Sequence, residues 1–204
     1  MELSVRPARP DDACVALLYE SAQPYYDAYA GSPARAQRLL RHVFPQRGHA
    51  ASYELCRVAL ADGAVAGVLI GFPVRDADRL ARRFVRLTLP RLPPWRWPGT
   101  VRHLRAAGTL APRPPLQAFY VDALAVDPRF RRRGVARRLL DEAEAQAARA
   151  GLRGVALDTG LANAPARALY SAYGFAERDV RQAADDRVAR AVGGPGFVSY
   201  FKPA

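Results

Sequence analysis

The chain has 204 residues, half of them apolar and a quarter charged, with a formal net charge of +12. That length and composition exclude a disordered or fibrous chain and suffice for one domain with a buried core. The positive charge is almost all arginine, Lys202 being the only lysine; it points to an anionic partner (nucleic acid, an acidic membrane or a phosphorylated cofactor) or merely to genome composition, and charge alone does not choose among these.

Residues 3–9 alternate apolar and polar and predict a short strand. Asp11 and Asp12 are placed to cap a helix carrying Val15, Leu17, Leu18 and Tyr19. A tyrosine-rich loop follows (Tyr25, Tyr26, Tyr29), and Ser32-Pro33 then opens a helix with Leu39, Leu40, Val43 and Phe44 on one side. Residues 52–61 and 64–72 read as a hairpin about Asp62-Gly63. That turn interrupts the most apolar window, residues 58–74, so the window is not a membrane span. Cys14 and Cys56 stand apart from any CxxC or histidine cluster, which predicts two reduced thiols and no metal site. The first residues lack the basic start and apolar core of a signal peptide, so a soluble, cytoplasmic protein without membrane association is expected.

Residues 74–117 stand out as an insertion, with helical spacing over 76–87, a Pro-Arg-Leu-Pro-Pro-Trp-Arg-Trp-Pro run at 90–98, and a short helical piece near 101–107. A segment this long is functional or flexible. Trp95 and Trp97, interleaved with Arg91 and Arg96, suit a base-stacking platform, a lid over a binding site or a packed surface loop.

From Gln117 the pattern becomes strand (118–127), helix (135–150), strand (154–159), helix from Asn163 to Gly174, and strands restarting at Phe175 and over 197–201. The result is a mixed α/β sheet with helices on its faces. Between the first strand and helix lies a basic turn, Arg131-Arg132-Arg133-Gly134-Val135-Ala136-Arg137. Free backbone N–H groups and the helix dipole favour an anion there, and small residues at Gly134 and Ala136 leave room for it. The turn therefore reads as a pyrophosphate holder. A solvated basic turn and a nucleic-acid patch are the competing readings, the last disfavoured because no aromatic platform surrounds the run.

Two motifs occur in order, about thirty residues apart: Arg131-x-x-Gly134-x-Ala136 after a strand, and Asn163-x-x-Ala166-x-x-Leu169-Tyr170-x-x-x-Gly174-Phe175. Together they resemble the GNAT superfamily of acetyl-CoA-dependent N-acetyltransferases. The clear match covers residues 118–179, with softer support over 1–73. The resemblance implies a single domain over 1–204. Its mixed, mostly antiparallel sheet would splay at the cofactor strand, with helices on both faces. It also implies acetyl-CoA as co-substrate, with the pantetheine arm along Leu124, Ala125 and Val126 and the pyrophosphate on residues 131–137. An oxyanion donor would be a backbone N–H near Leu124 or Ala125.

Tyr170 matches the family position that protonates the leaving thiolate, since a phenol stays protonated at neutral pH; packing alone is the competing reading. Asn163 either bonds the pantetheine arm or caps its helix. Asp122, on the cofactor strand, shares a face with Tyr120, Leu124 and Val126 if strict alternation holds. It is a candidate base or holder of the substrate cation, against a strand-end carboxylate satisfied by arginine. Glu54 and Asp158 are lesser candidates.

The expected activity is transfer of an acetyl group from acetyl-CoA to a primary amine, on a small molecule or peptide, by direct transfer in a ternary complex without metal. A non-catalytic acyl-CoA sensor and a basic nucleic-acid-binding protein are the alternatives. An arginine-bearing lid would favour an amine that also carries a carboxylate or phosphate over a polycation. The family allows a homodimer through the C-terminal strands.

Overall fold

A computed structural model describes residues 2–204. Seven strands form one sheet in the order β1-β2-β3-β4-β5-β7-β6. They are β1 (Leu3–Pro7), β2 (Cys56–Ala61), β3 (Ala64–Pro73), β4 (Phe119–Val126), β5 (Gly154–Gly160), β6 (Ala176–Gln182) and β7 (Gly196–Pro203). Every neighbouring pair is antiparallel except β4 and β5, which run parallel. At the β2–β3 hairpin Asp62 and Gly63 both have positive φ, 48° and 84°, as a tight two-residue turn between right-twisted strands requires.

Helices cover both faces. On one side lie α1 (Val15–Ser21), α2 (Gln23–Ala30), α3 (Pro33–Val43), α4 (Ala77–Thr88) and α5 (Trp97–Leu110), around a core of Leu18, Tyr29, Leu40, Phe44, Val68 and Ile70. On the other lie α6 (Val135–Arg149) and α7 (Ala164–Tyr173), around Leu69, Leu139, Leu140, Leu157 and Val198. Covered from both sides, Ala66–Phe72 of β3 is buried at every residue, which accounts for its unbroken apolar run. Gly67 lets α6 come close: a Cβ there would stand 2.9 Å from Val135 and 3.0 Å from the Ala125 carbonyl.

Three local expectations change. The tyrosine-rich stretch is helix α2, since Pro24 starts it and Tyr26 and Tyr29 bury themselves in the core. Asp12 does not cap α1; it takes a bidentate pair of bonds from Arg6 at 2.7 Å and one from the Arg9 N–H, leaving Cys14 as the helix start. An eighth helix, α8 (Asp186–Val192), capped by Asp185 and ended by Gly193, packs on α5 and α2. Strand β7 is paired on both sides, so the sheet's free edge near the C-terminus belongs to β6. Among the described residues no helix is long and apolar enough to cross a membrane.

Candidate active site

Strands β4 and β5 are joined only through Phe119–Val121, opposite Val155–Leu157. Beyond that point they diverge, and Ala123–Val126 pair with β3 alone. The divergence starts at Asp122. Ile70 of β3 faces Ala123 and Gly71 faces Val121, so Asp122 is an extra residue without a cross-strand partner, a β-bulge.

The bulge resets which side chains share a face. Tyr120, Ala123 and Ala125 pack toward the α1–α5 core, whereas Phe119, Val121, Leu124 and Val126 pack toward α6 and α7. Strict alternation over 120–126 therefore fails. Asp122 stays with Tyr120, and Leu124 and Val126 turn to the opposite face.

Two cavities meet at Asp122. One, of about 430 Å³, follows the gap between β4 and β5 and is lined by Leu124, Thr159, Asn163, Ala166 and Tyr170. The other, of about 480 Å³, lies under α2, α4 and α5. Tyr25, Asp122 and Asp158 border both. Cleft solvent reaches Asp122 but protein otherwise surrounds it. This burial, and then the Asp158 charge, pushes its pKa up to about 7. Burial likewise raises Asp158 to about 6, opposed by a hydrogen bond that the Tyr120 hydroxyl donates to it. The Tyr120 phenol is driven well above its ordinary value by burial and by both aspartates. Burial and the Asp122 charge push Tyr25 to about 12. The site thus holds two carboxylates that titrate close to neutrality beside phenols that stay protonated.

Tyr170 is held by α7, its ring against Phe175 and Tyr200 at 6.0 and 5.6 Å, and it lines the β4–β5 cleft. Burial, then Asp158 and Tyr200, raises its pKa above the ordinary phenol value. Asn163 does two things at once: its Oδ1 accepts from the Ala166 N–H and caps α7, while its Nδ2 donates to Thr159 Oγ1 at 3.1 Å on the cleft wall.

The basic turn leaves β4 through Asp127, which engages Arg129 through backbone and side chain and is held near 2 by those bonds. Arg132 and Gly134 both adopt left-handed backbone, φ 62° and 81°. At Gly134 the space beyond the missing Cβ is open, so what favours glycine there is its left-handed φ. Helix α6 starts there with no side-chain cap, and Val135, Ala136 and Arg137 form its first turn. Unsatisfied N–H groups at such a start can hold an anion. Arg131 donates to the Val126 carbonyl and lies 3.8 Å from Glu20 across the cleft mouth. Arg137 sits over the Tyr173 ring, and Arg132 and Arg133 are exposed beside it.

Glu54 leaves the site: its carboxylate accepts from the Gly48 N–H and pairs with Arg47, away from both cavities. The insertion does line the second cavity, but through its helices. Phe84, Val85, Leu104 and Ala107 form the wall, while Trp95 is 76% exposed and Trp97 lies on a separate groove with Arg102, Arg105 and Arg187. Among the described residues no arginine or lysine lines that cavity; its charged groups are Asp78, Asp122 and Asp158. The arginines of the insertion, which suggested an acceptor bearing a carboxylate or phosphate, therefore do not line this cavity. The sequence reading overlooked Tyr25 and ranked Asp158 low. The signals present were the clustered tyrosines and an acid in an otherwise buried strand.

The chain belongs to the acetyltransferase (GNAT) family, whose profile matches residues 15–175. It is an acyltransferase, and its family uses acetyl-CoA. Similar solved structures include an N-acetyltransferase from Staphylococcus aureus Mu50, with TM-score 0.72, 16% identity and 98% and 100% of the two chains covered. A protein described as an acetyltransferase reaches TM-score 0.70 at 21% identity, with 98% of each chain covered. An agmatine N-acetyltransferase reaches 0.64 at 16%, with both chains fully covered. At these identities the likeness concerns the fold. No curated protein sequence matches the chain.

Proposed function

We propose that the whole chain acts as one N-acetyltransferase domain, moving an acetyl group from acetyl-CoA to a primary amine by direct transfer in a ternary complex. The observation that carries this is the fork at Asp122, where an open strand edge, two carboxylates and the Tyr170 phenol converge on one cleft. The residues fit the donor. The β5-facing side of Leu124, Ala125 and Val126 is unpaired and suits the amide-bearing pantetheine arm, with Asn163 opposite. The backbone of Gly134, Val135, Ala136 and Arg137, with Arg131, Arg132 and Arg133, suits the pyrophosphate. The donor supplies a thioester, whose carbonyl oxygen would be met by a backbone N–H near Leu124 or Ala125.

An alkyl amine reaches the site as an ammonium ion, because its pKa lies near 10. Asp122 and Asp158 attract that cation, and Asp122 accepts its proton, directly or through water. Its raised pKa suits it to the task near pH 7. The neutral amine then attacks the acyl carbon, Tyr170 donates its proton to the departing sulfur, and the proton that the nitrogen sheds on becoming an amide returns through cleft water to the Tyr170 phenolate. Raised above the pKa of a thiol, its phenol stays protonated until negative charge develops there. Replacing Tyr170 by Phe tests the assignment: turnover is expected to fall while acetyl-CoA affinity holds.

A further inference from the structure

The cavity beneath α4 and α5 has a composition of its own. Beyond the carboxylates it shares with the β4–β5 cleft, it is walled by Tyr26, Phe84, Val85, Leu104, Ala107 and Pro112. All but Tyr26 come from the 74–117 insertion. Asp78, exposed on the first turn of α4, lines this cavity and not the β4–β5 cleft. We infer that the insertion builds the acceptor site, and that this site takes a primary amine on an apolar, aryl- or alkyl-sized body without an anionic group.

Three features compel that class. At the fork Asp122 and Asp158 share one cleft with no described arginine or lysine lining it, and an ammonium group complements them. The aromatic and aliphatic wall recovers its hydration cost only against an apolar body, at roughly 25 cal/mol per Å² covered. A carboxylate beside the amine would sit near Asp122 and Asp158 with no arginine or lysine on the wall to neutralise it. A volume of about 480 Å³ is in the range of small-ligand pockets and holds a body of phenylethyl size with room to spare. The arginines of the insertion make the protein basic, yet none of them lines the site.

This inference rests on the acetyltransferase reading, so the test separates the two. Calorimetric binding of 2-phenylethylamine, L-phenylalanine and 1,4-diaminobutane to the acetyl-CoA-saturated protein is measured beside kcat/KM for each. 2-Phenylethylamine is expected to bind best, with phenylalanine, which adds only a carboxylate, weaker by about 100-fold. Diaminobutane, with a second charge in place of the ring, is expected to be weaker by about tenfold. Gly108 lines the same cavity and a Cβ there would meet nothing within 4 Å. Gly108→Trp therefore meets no clash at its Cβ and, in protein whose melting temperature is unchanged, should lower phenylethylamine affinity about tenfold relative to methylamine, with acetyl-CoA affinity unchanged. Equal or tighter binding of phenylalanine or diaminobutane, or indifference of that ratio to Gly108→Trp, overturns the acceptor class. The expected binding order without acetylation of any of the three would instead overturn the enzymatic reading and leave the pocket assignment standing.

Discussion

Tyr120, on the middle rung of the β4–β5 pairing, donates a hydrogen bond to Asp158, one residue beyond the last rung, where those strands part. The phenol thereby ties the second carboxylate to β4 and lowers its pKa against the burial that raises it. Tyr120→Phe removes that donor, so Asp158 should titrate higher. The acid limb of the pH–rate profile is expected to move upward, and an unmoved limb would show that Asp158 does not titrate with the catalytic group.

Asp122 and Asp158 face one cleft, so the acid limb belongs to the pair, with apparent values between about 6 and 7. kcat/KM should rise with pH through that interval. Asp122→Asn is expected to lower kcat/KM by about 100-fold or more and to flatten the limb. A limb that survives the substitution would assign it to another group.

The same shift has a cost in stability. Both carboxyls have raised folded-state pKa values, so the folded protein holds protons that the unfolded chain releases near pH 4. The stability gained is complete below about pH 4 and lost as pH rises through about 6 to 7. Asp122→Asn should therefore raise Tm at pH 8 by about 2–4 °C and leave it almost unchanged at pH 4. Calorimetric melts at the two pH values check the sign.

At the basic turn, Gly134→Asp should weaken acetyl-CoA binding by on the order of 100-fold, through loss of the left-handed backbone and a like charge beside phosphate. Titration calorimetry reads this directly. Retained affinity would mean that the pyrophosphate lies elsewhere.

Gly71 faces Val121 beside the bulge, and a Cβ there would collide with the Phe119 ring and stand 3.1 Å from the Tyr120 carbonyl. Gly71→Ala is expected to cost about 1–3 kcal/mol and, by displacing the bulge, to lower kcat further than a stability loss accounts for. Denaturant unfolding and kcat at saturating substrate separate the two effects.

Much of this was legible in the chain. Residues 131–137 announced the start of α6 because glycine and the arginine run are local features, and Asn163, Pro165 and Gly174 bounded α7 for the same reason. The bulge was not legible. Two-residue periodicity puts Asp122, Leu124 and Val126 on one face, and only the register against Ile70 and Gly71 shows the extra residue. The insertion misled through its arginines and tryptophans, which are conspicuous in sequence but, apart from the half-buried Arg96, stand on the outside. The face that lines the cavity is Phe84, Val85, Leu104 and Ala107, ordinary apolar residues whose placement depends on how the helices pack. Tyr25 was hidden likewise: a tyrosine-rich stretch looks like a loop until its burial as α2 is known.

The most direct test of the central claim is to incubate the protein with acetyl-CoA and 2-phenylethylamine, following free thiol and product mass together. Stoichiometric thiol release and N-acetylated amine, both largely lost in Tyr170→Phe although it binds acetyl-CoA normally, are predicted. Unimpaired transfer by that variant, or tight acetyl-CoA binding with no acetylated product from any primary amine, would contradict the account.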